Sequence, residues 1–272
     1  MAEFILASIF VFIFGCFIGS FLNVLIWRLP QDMAPTGRSF CPHCKHTLGA
    51  IDLIPVLSFL MFGAKCRYCK VKISWRYPLI EIITGFLFLA TWVLVLSPVW
   101  NLDIIHFLIA IKLAFIVSVF IVVFVIDLEH YLILDKVVFP STFVVLLFAL
   151  GFDLLSGDLI SLRGLLFNGI VGAVFGFLPF YILWKISKGK WIGLGDAKYG
   201  LFLGAVFGFP FVFLVYFLAC FIGTIFSIPL LAAGKKHLSS KLPLGTFLSI
   251  AAVLTLWFGV IMIGWYMRLL GF

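Results

Sequence analysis

Long apolar runs alternate with short polar ones along nearly the whole chain. Runs able to cross roughly 30 Å of hydrocarbon as helices lie at 4–27, 77–97, 104–126, 137–153, 164–184, 211–233 and 244–268. A shorter, glycine-rich run lies at 192–209, closed by a turn near Pro210. The pattern predicts an all-α polytopic membrane protein with about eight transmembrane helices. The first run has no basic segment before it and continues to Trp27, which predicts an uncleaved first span rather than a removed signal. Of the polar stretches, only 28–76 is long enough for a small domain. The predicted division is therefore a first helix over 1–27, a loop domain over 28–76 and a membrane domain over 77–272.

Composition excludes a soluble reading: 64% of the 272 residues are hydrophobic, 11% are charged and the mean hydropathy is +1.27. Soluble domains carry about 25% charged residues. A net charge of +8 would point to nucleic acid in a soluble protein. In a membrane protein it points to loops held against anionic lipid, so membrane lipids are expected partners and nucleic acid is not. With eight crossings, all but three of the 19 lysines and arginines share one side, including Lys235, Lys236 and Lys241. The exceptions are Arg163 and Arg268 opposite, and Lys112 inside a span. This bias places 28–76 in the cytoplasm and both termini outside.

Cys41-Pro42-His43-Cys44 and Cys66-Arg67-Tyr68-Cys69 form two CxxC knuckles separated by 21 residues. In a reducing cytoplasmic loop, paired knuckles point to one structural Zn²⁺ on four thiolates, with no open position for catalysis. Such a clip would fold a loop too small to build its own core.

With so few charges, acids at membrane depth are functional candidates. Topology brings Asp127, ending the third run, and Asp196, in Gly193-Leu194-Gly195-Asp196, to one level at the cytoplasmic side. Two carboxylates at one level can activate water. Glu129 and Asp135 share the 127–136 loop, and spacing does not choose among the three acids there. Asp196, Gly200, Gly204 and Gly208 form one helical stripe, and Gly169, Gly172 and Gly176 form another that can receive it. Glu81, one turn into the second span, is a candidate buried polar or cofactor-binding group. The macrodipole favours a charged Asp196 at a helix start over Asp127 at a helix end, which would make Asp196 the base.

Several stretches, in order, resemble the type IV prepilin peptidases, bifunctional leader peptidases and N-methyltransferases. They are Gly19-Ser20-Phe21-Leu22-Asn23-Val24, Arg28-Leu29-Pro30, both knuckles, Ile54-Pro55-Val56-Leu57-Ser58, Arg76 to Glu81, Ile126 to Asp135, the Gly193 to Asp196 run and Leu242-Pro243-Leu244-Gly245. The resemblance implies an aspartic endopeptidase of the bacterial inner membrane, with Asp127 and Asp196 as its catalytic pair. It implies cleavage of the basic leader from prepilins or pseudopilins at the cytoplasmic face, in type IV pilus, type II secretion or competence systems. It further implies S-adenosylmethionine as a methyl donor. Three positions depart from the family pattern. Leu134 and Thr246 stand where proline is usual, and Ala64 stands where glycine is usual, in the loop linked to methyl transfer. The rival readings are a presenilin-like GxGD protease, which lacks the knuckles, and a proton-coupled transporter, whose acids would lie near the midplane.

Overall fold

The computed structural model describes residues 2–97, 103–156, 164–232 and 242–271. Lys235, Lys236, Lys241 and Arg163, which weighed in the charge asymmetry, lie outside them. Among the described residues the chain is helical, with α1 (Ala2–Arg28), α2 (Leu57–Met61), α3 (Arg76–Thr91), α4 (Ile104–His130), α5 (Asp135–Ser156), α6 (Leu165–Ser187), α7 (Leu194–Phe207), α8 (Phe211–Ala232) and α9 (Leu244–Leu269). A π-helical turn, Trp92–Leu96, extends α3. The chain divides into two compact units, Met1–Val122 and Val123–Phe272, with the boundary inside α4.

Among the described residues seven helices are long and apolar enough to cross a membrane, and they present large apolar side chains outward, such as Phe10, Phe217 and Val260 (68%, 67% and 77% exposed). The chain is a multi-pass membrane protein. The eighth apolar run forms a helix where expected, but α7 has only 14 residues. At 1.5 Å per residue it reaches about 21 Å, short of a full crossing. Glycines at both ends of that run fall outside the helix, which is why the run overstated it.

In the first unit α1 and α3 pack antiparallel. Gly15 lies against Gly85, Gly19 against the Glu81 backbone, and the Asn23 amide donates to the Tyr77 carbonyl at 3.1 Å. Between these helices the 28–76 loop folds as two nearly identical hairpins, 25 residues apart in sequence. The Cys41 amide bonds the His46 carbonyl and the Lys45 amide the Cys41 carbonyl. The same pair recurs as Cys66 to Val71 and Lys70 to Cys66, all at 2.9 Å. Bridges Phe40–Thr47 and Lys65–Lys72 close the two hairpins, and Lys45 and Lys70 both turn at positive φ (58° and 60°). Arg28, 4% exposed, ties α1 to the loop by donating to the carbonyls of Ala34, Pro35, Thr36 and Arg38.

In the second unit α6 and α7 run antiparallel in backbone contact. A Cβ at Gly172 would overlap the Gly204 carbonyl, and one at Gly176 the Gly200 carbonyl. The two stripes seen in the sequence therefore meet each other, as small-residue faces allow. Asp153, 3% exposed at the end of α5, accepts the Leu165 and Leu166 amides (2.9 and 2.8 Å) and so caps α6. Buried Tyr199 and Ser249 share a 2.8 Å hydrogen bond that joins α7 to α9.

Candidate active site and metal centre

Asp127 lies in the last turn of α4, 4% exposed. Its Oδ2 accepts the Thr246 amide at 2.7 Å and the Thr246 hydroxyl at 3.2 Å, and the Gly245 amide also bonds the carboxylate. Gly245 and Thr246 open α9, so Asp127 caps that helix from across the unit. The approach requires a glycine: a Cβ at Gly245 would stand 3.0 Å from Asp127 Oδ2.

Asp196, half-buried in the first turn of α7, accepts the Gly193 amide at 3.1 Å. This is one half of a capping box. Both carboxylates thus sit against helix amino ends, where backbone N–H groups favour negative charge. The charge of Asp127 is felt at Asp196. Ile133 joins the two surroundings, because its side chain lies against both Gly195 and Gly245, about 3 Å from where their Cβ atoms would be. Beside it Lys198 Nζ binds both oxygens of Asp135 (2.8 and 2.7 Å), linking the starts of α5 and α7.

In the first unit the sulfur atoms of Cys41, Cys44, Cys66 and Cys69 all lie within 4.8 Å of one another, with Cys41 and Cys69 Sγ 3.9 Å apart. Four ligands at the usual Zn–S distance of about 2.3 Å would stand about 3.8 Å apart, so the cluster fits a tetrahedral ion. Burial raises the Cys41 thiol, but hydrogen bonds from the Cys44 and His43 amides outweigh it and bring it to about 7. The Val71 amide favours the Cys69 thiolate, yet desolvation and its three sulfur neighbours push that thiol up to about 11. The Cys41 thiolate forms readily here, whereas that of Cys69 calls for a cation.

Residues 13–95 match the bacterial peptidase A24 N-terminal domain, and residues 114–228 match the type IV leader peptidase family. The chain is 32% identical to a prepilin leader peptidase/N-methyltransferase of Aeromonas hydrophila, over 94% of this chain and 92% of that protein. The chain belongs to the prepilin leader peptidase/N-methyltransferase family. Another relative of that name, from Bacillus subtilis, is 30% identical over 95% of this chain and 97% of its own length. A third, from Burkholderia pseudomallei, is 31% identical over 92% and 85%. No solved structure matches the chain. Family membership sets aside the transporter and presenilin-like readings.

In this prepilin peptidase family member, the structure brings Asp127 and Asp196 into one region of one unit. It leaves Glu129 29% exposed at its side chain, and commits Asp135 to Lys198. His46 packs at a tilt against Tyr68 and takes no place among the sulfurs. Glu81 lies in the first unit and accepts the Val56 amide at 2.8 Å. Sequence reasoning missed Thr246, noted only as a replaced proline, and Ile133. Nothing local singled out Ile133, which is one of several apolar residues in the run Tyr131-Leu132-Ile133-Leu134. The dipole reading of Asp127 was incomplete, because it counted the carboxyl end of α4 and not the amino end of α9.

Proposed function

We propose that the chain is a membrane aspartic endopeptidase that removes the basic leader from type IV prepilins at the cytoplasmic membrane face. The supporting observation is the paired placement of Asp127 and Asp196, each at a helix amino end and close enough to interact. Two neighbouring carboxylates share one proton. The donors at the start of α9 favour the anion on Asp127, which takes a proton from water as its oxygen attacks the scissile carbonyl. Asp196 holds the shared proton and gives it to the carbonyl oxygen, and Asp127 then passes the proton taken from water to the leaving amine. This reverses the roles the sequence favoured, since α9 supplies Asp127 with more donors than Gly193 supplies Asp196. The titration belongs to the pair.

We assign cleavage to the second unit and methylation of the newly exposed amino terminus to the first, where α1 and α3 wall the 28–76 loop. A structural Zn²⁺ on Cys41, Cys44, Cys66 and Cys69 would hold that loop. S-adenosylmethionine, when bound, supplies an electrophilic methyl group. Phe40, Phe62 and Asp52, on the knuckle side of the cavity between loop and helices, offer aromatic faces for its purine and an acceptor for its ribose.

The decisive test is leader cleavage by inserted, purified variants. Asp127→Asn and Asp196→Asn should each lower the rate by about 10²–10⁴-fold, the usual worth of an acid or base. Asp135→Asn should keep most of it. Processing at near wild-type rate by either of the first two would remove that residue from the pair.

A further inference from the structure

The first unit encloses a cavity of about 430 Å³ between α1, α3 and the knuckle loop, within the size range of ligand sites. Its walls carry the aromatic side chains of Trp27, Phe40, Phe59 and Phe62, and on them also lie Arg28, Lys65, Arg67 and Lys72. Ser20, Asn23 and Glu81, from the two helices, form a polar floor.

That floor is rich in acceptors. Glu81, 8% exposed, is bonded by the Val56 amide and the Ser20 hydroxyl and has no ion-pair partner among the described residues. Asn23 is 3% exposed, and its Nδ2 is committed to the Tyr77 carbonyl, which fixes the amide's orientation. Its Oδ1 has no hydrogen-bond partner. An orphaned buried acceptor beside a carboxylate calls for a ligand that donates several hydrogen bonds and carries positive charge. Of the cations in the lining, Arg28 is committed to loop carbonyls and Arg67 to Asp52 and the Phe62 ring, while Lys65 and Lys72 belong to the knuckle hairpin and not to this floor. An ammonium group supplies three donors and one charge, and aromatic walls favour a cation over their faces.

The loop segment that bonds the same carboxylate is strained. Val56 adopts φ 62°, ψ −49°, and the Leu57 amide bonds the Pro55 carbonyl at 2.6 Å, a γ-turn of the rare positive-φ kind. A β-branched residue reaches that conformation only when its surroundings impose it. The bond from its amide to Glu81 is one such restraint.

We propose that Ser20, Asn23 and Glu81 form the binding site for the free amino group at the start of an apolar peptide, with Glu81 as its counter-ion and proton acceptor. This rests on the methylation reading above. The peptide ammonium passes one proton to the Glu81 carboxylate. That leaves a neutral amine with its lone pair free and a neutral Glu81, and no other bond changes. The apolar first side chain lies against the aromatic wall.

Calorimetric titration of the full-length, zinc-loaded enzyme tests this, with a short apolar peptide beginning in phenylalanine, either free or acetylated at its amino end. The free form should bind at least tenfold more tightly. Glu81→Gln keeps an acceptor for the Val56 amide but removes the charge, and should cut the preference to under twofold while zinc content and leader cleavage persist. Equal affinity for the two peptides in the wild-type enzyme overturns the proposal, whether or not the variant folds. So does an undiminished preference in folded Glu81→Gln. S-adenosylmethionine titrated alone provides a further arm. If Glu81→Gln abolishes its binding and spares the amine preference, the floor belongs to the methyl donor and the proposal fails. An amine preference without any methyl transfer would support the site and refute the methylation reading.

Discussion

The two units both bury carboxylates among apolar helices, yet they satisfy them by different means. In the second unit Asp127 and Asp153 receive backbone amides from the first turns of α9 and α6, and Asp196 receives that of Gly193, immediately before α7. Those donors are fixed by the helices and are in place whenever the helices pack. In the first unit Glu81 receives its amide from Val56, in a loop whose order depends on two hairpins and the ion they would share. One site is preorganised by secondary structure, and the other would be preorganised by ligation. The two should therefore fail under different insults.

The largest separation should come from the glycine contact in the second unit. Gly204→Val would drive its side chain into the Gly172 backbone, at a cost of 1–3 kcal/mol or more, since backbone yields less than side chain. It would displace the helix that carries Asp196. Leader cleavage should be lost while zinc content and methyl transfer to an already cleaved peptide persist. Equal loss of both activities would mean the units are not separable.

Chelation makes the reverse cut. Structural zinc contributes on the order of 10 kcal/mol to the folding of small domains, so stripping it, or replacing Cys66 by serine, should open the knuckle loop and abolish methyl transfer. Cleavage should fall less. Elemental analysis should find about one zinc per chain in fresh reduced protein, and its absence would remove this half of the comparison.

The positions of these parts were unevenly legible. Hydropathy located all eight apolar helices because lipid-facing and core-facing positions are both apolar. CxxC spacing located the cluster because each knuckle is local. What stayed hidden was long-range. Thr246 meets Asp127 across 119 residues of sequence, and no local pattern encodes that. Asp153 closes the 137–153 run, and nothing local shows that its partners lie twelve and thirteen residues on, at the start of α6. Glu81 stood out as a charge in a span, but its link to Val56 depends on how the loop returns. The choice of Asp127 over Glu129 and Asp135 came from family resemblance.

Two smaller tests sharpen the contrast at single residues. Thr246 occupies a position where resemblance leads one to expect proline, which has no amide hydrogen to offer Asp127. Thr246→Pro should remove a hydrogen bond to a charged group worth about 1.5–3 kcal/mol. Cleavage should slow by tenfold or more, and further at acid than at alkaline pH, because the missing donor favoured the anion. Thr246→Val keeps the amide and should cost much less. An unchanged pH–rate profile in Thr246→Pro would deny Asp127 the role of base.

In the first unit Ala64 sits at φ 58°, a conformation that glycine adopts without strain. Ala64→Gly should raise stability by up to about 1 kcal/mol, read as a higher unfolding temperature of the zinc-loaded protein, with leader cleavage unchanged.

The near-identity of the two hairpins bears on how the protein is made. Each presents two sulfurs, so the first to leave the ribosome holds half a coordination sphere and can only bind metal weakly. Its counterpart follows 25 residues later, about 1–5 s at the usual pace of synthesis. During that interval the nascent loop carries two uncommitted thiols. Closure of the sphere falls between delivery of α1 and delivery of α3, the two helices that wall the cavity. A metal held by all four sulfurs would thus pin the returning chain just as the second wall arrives.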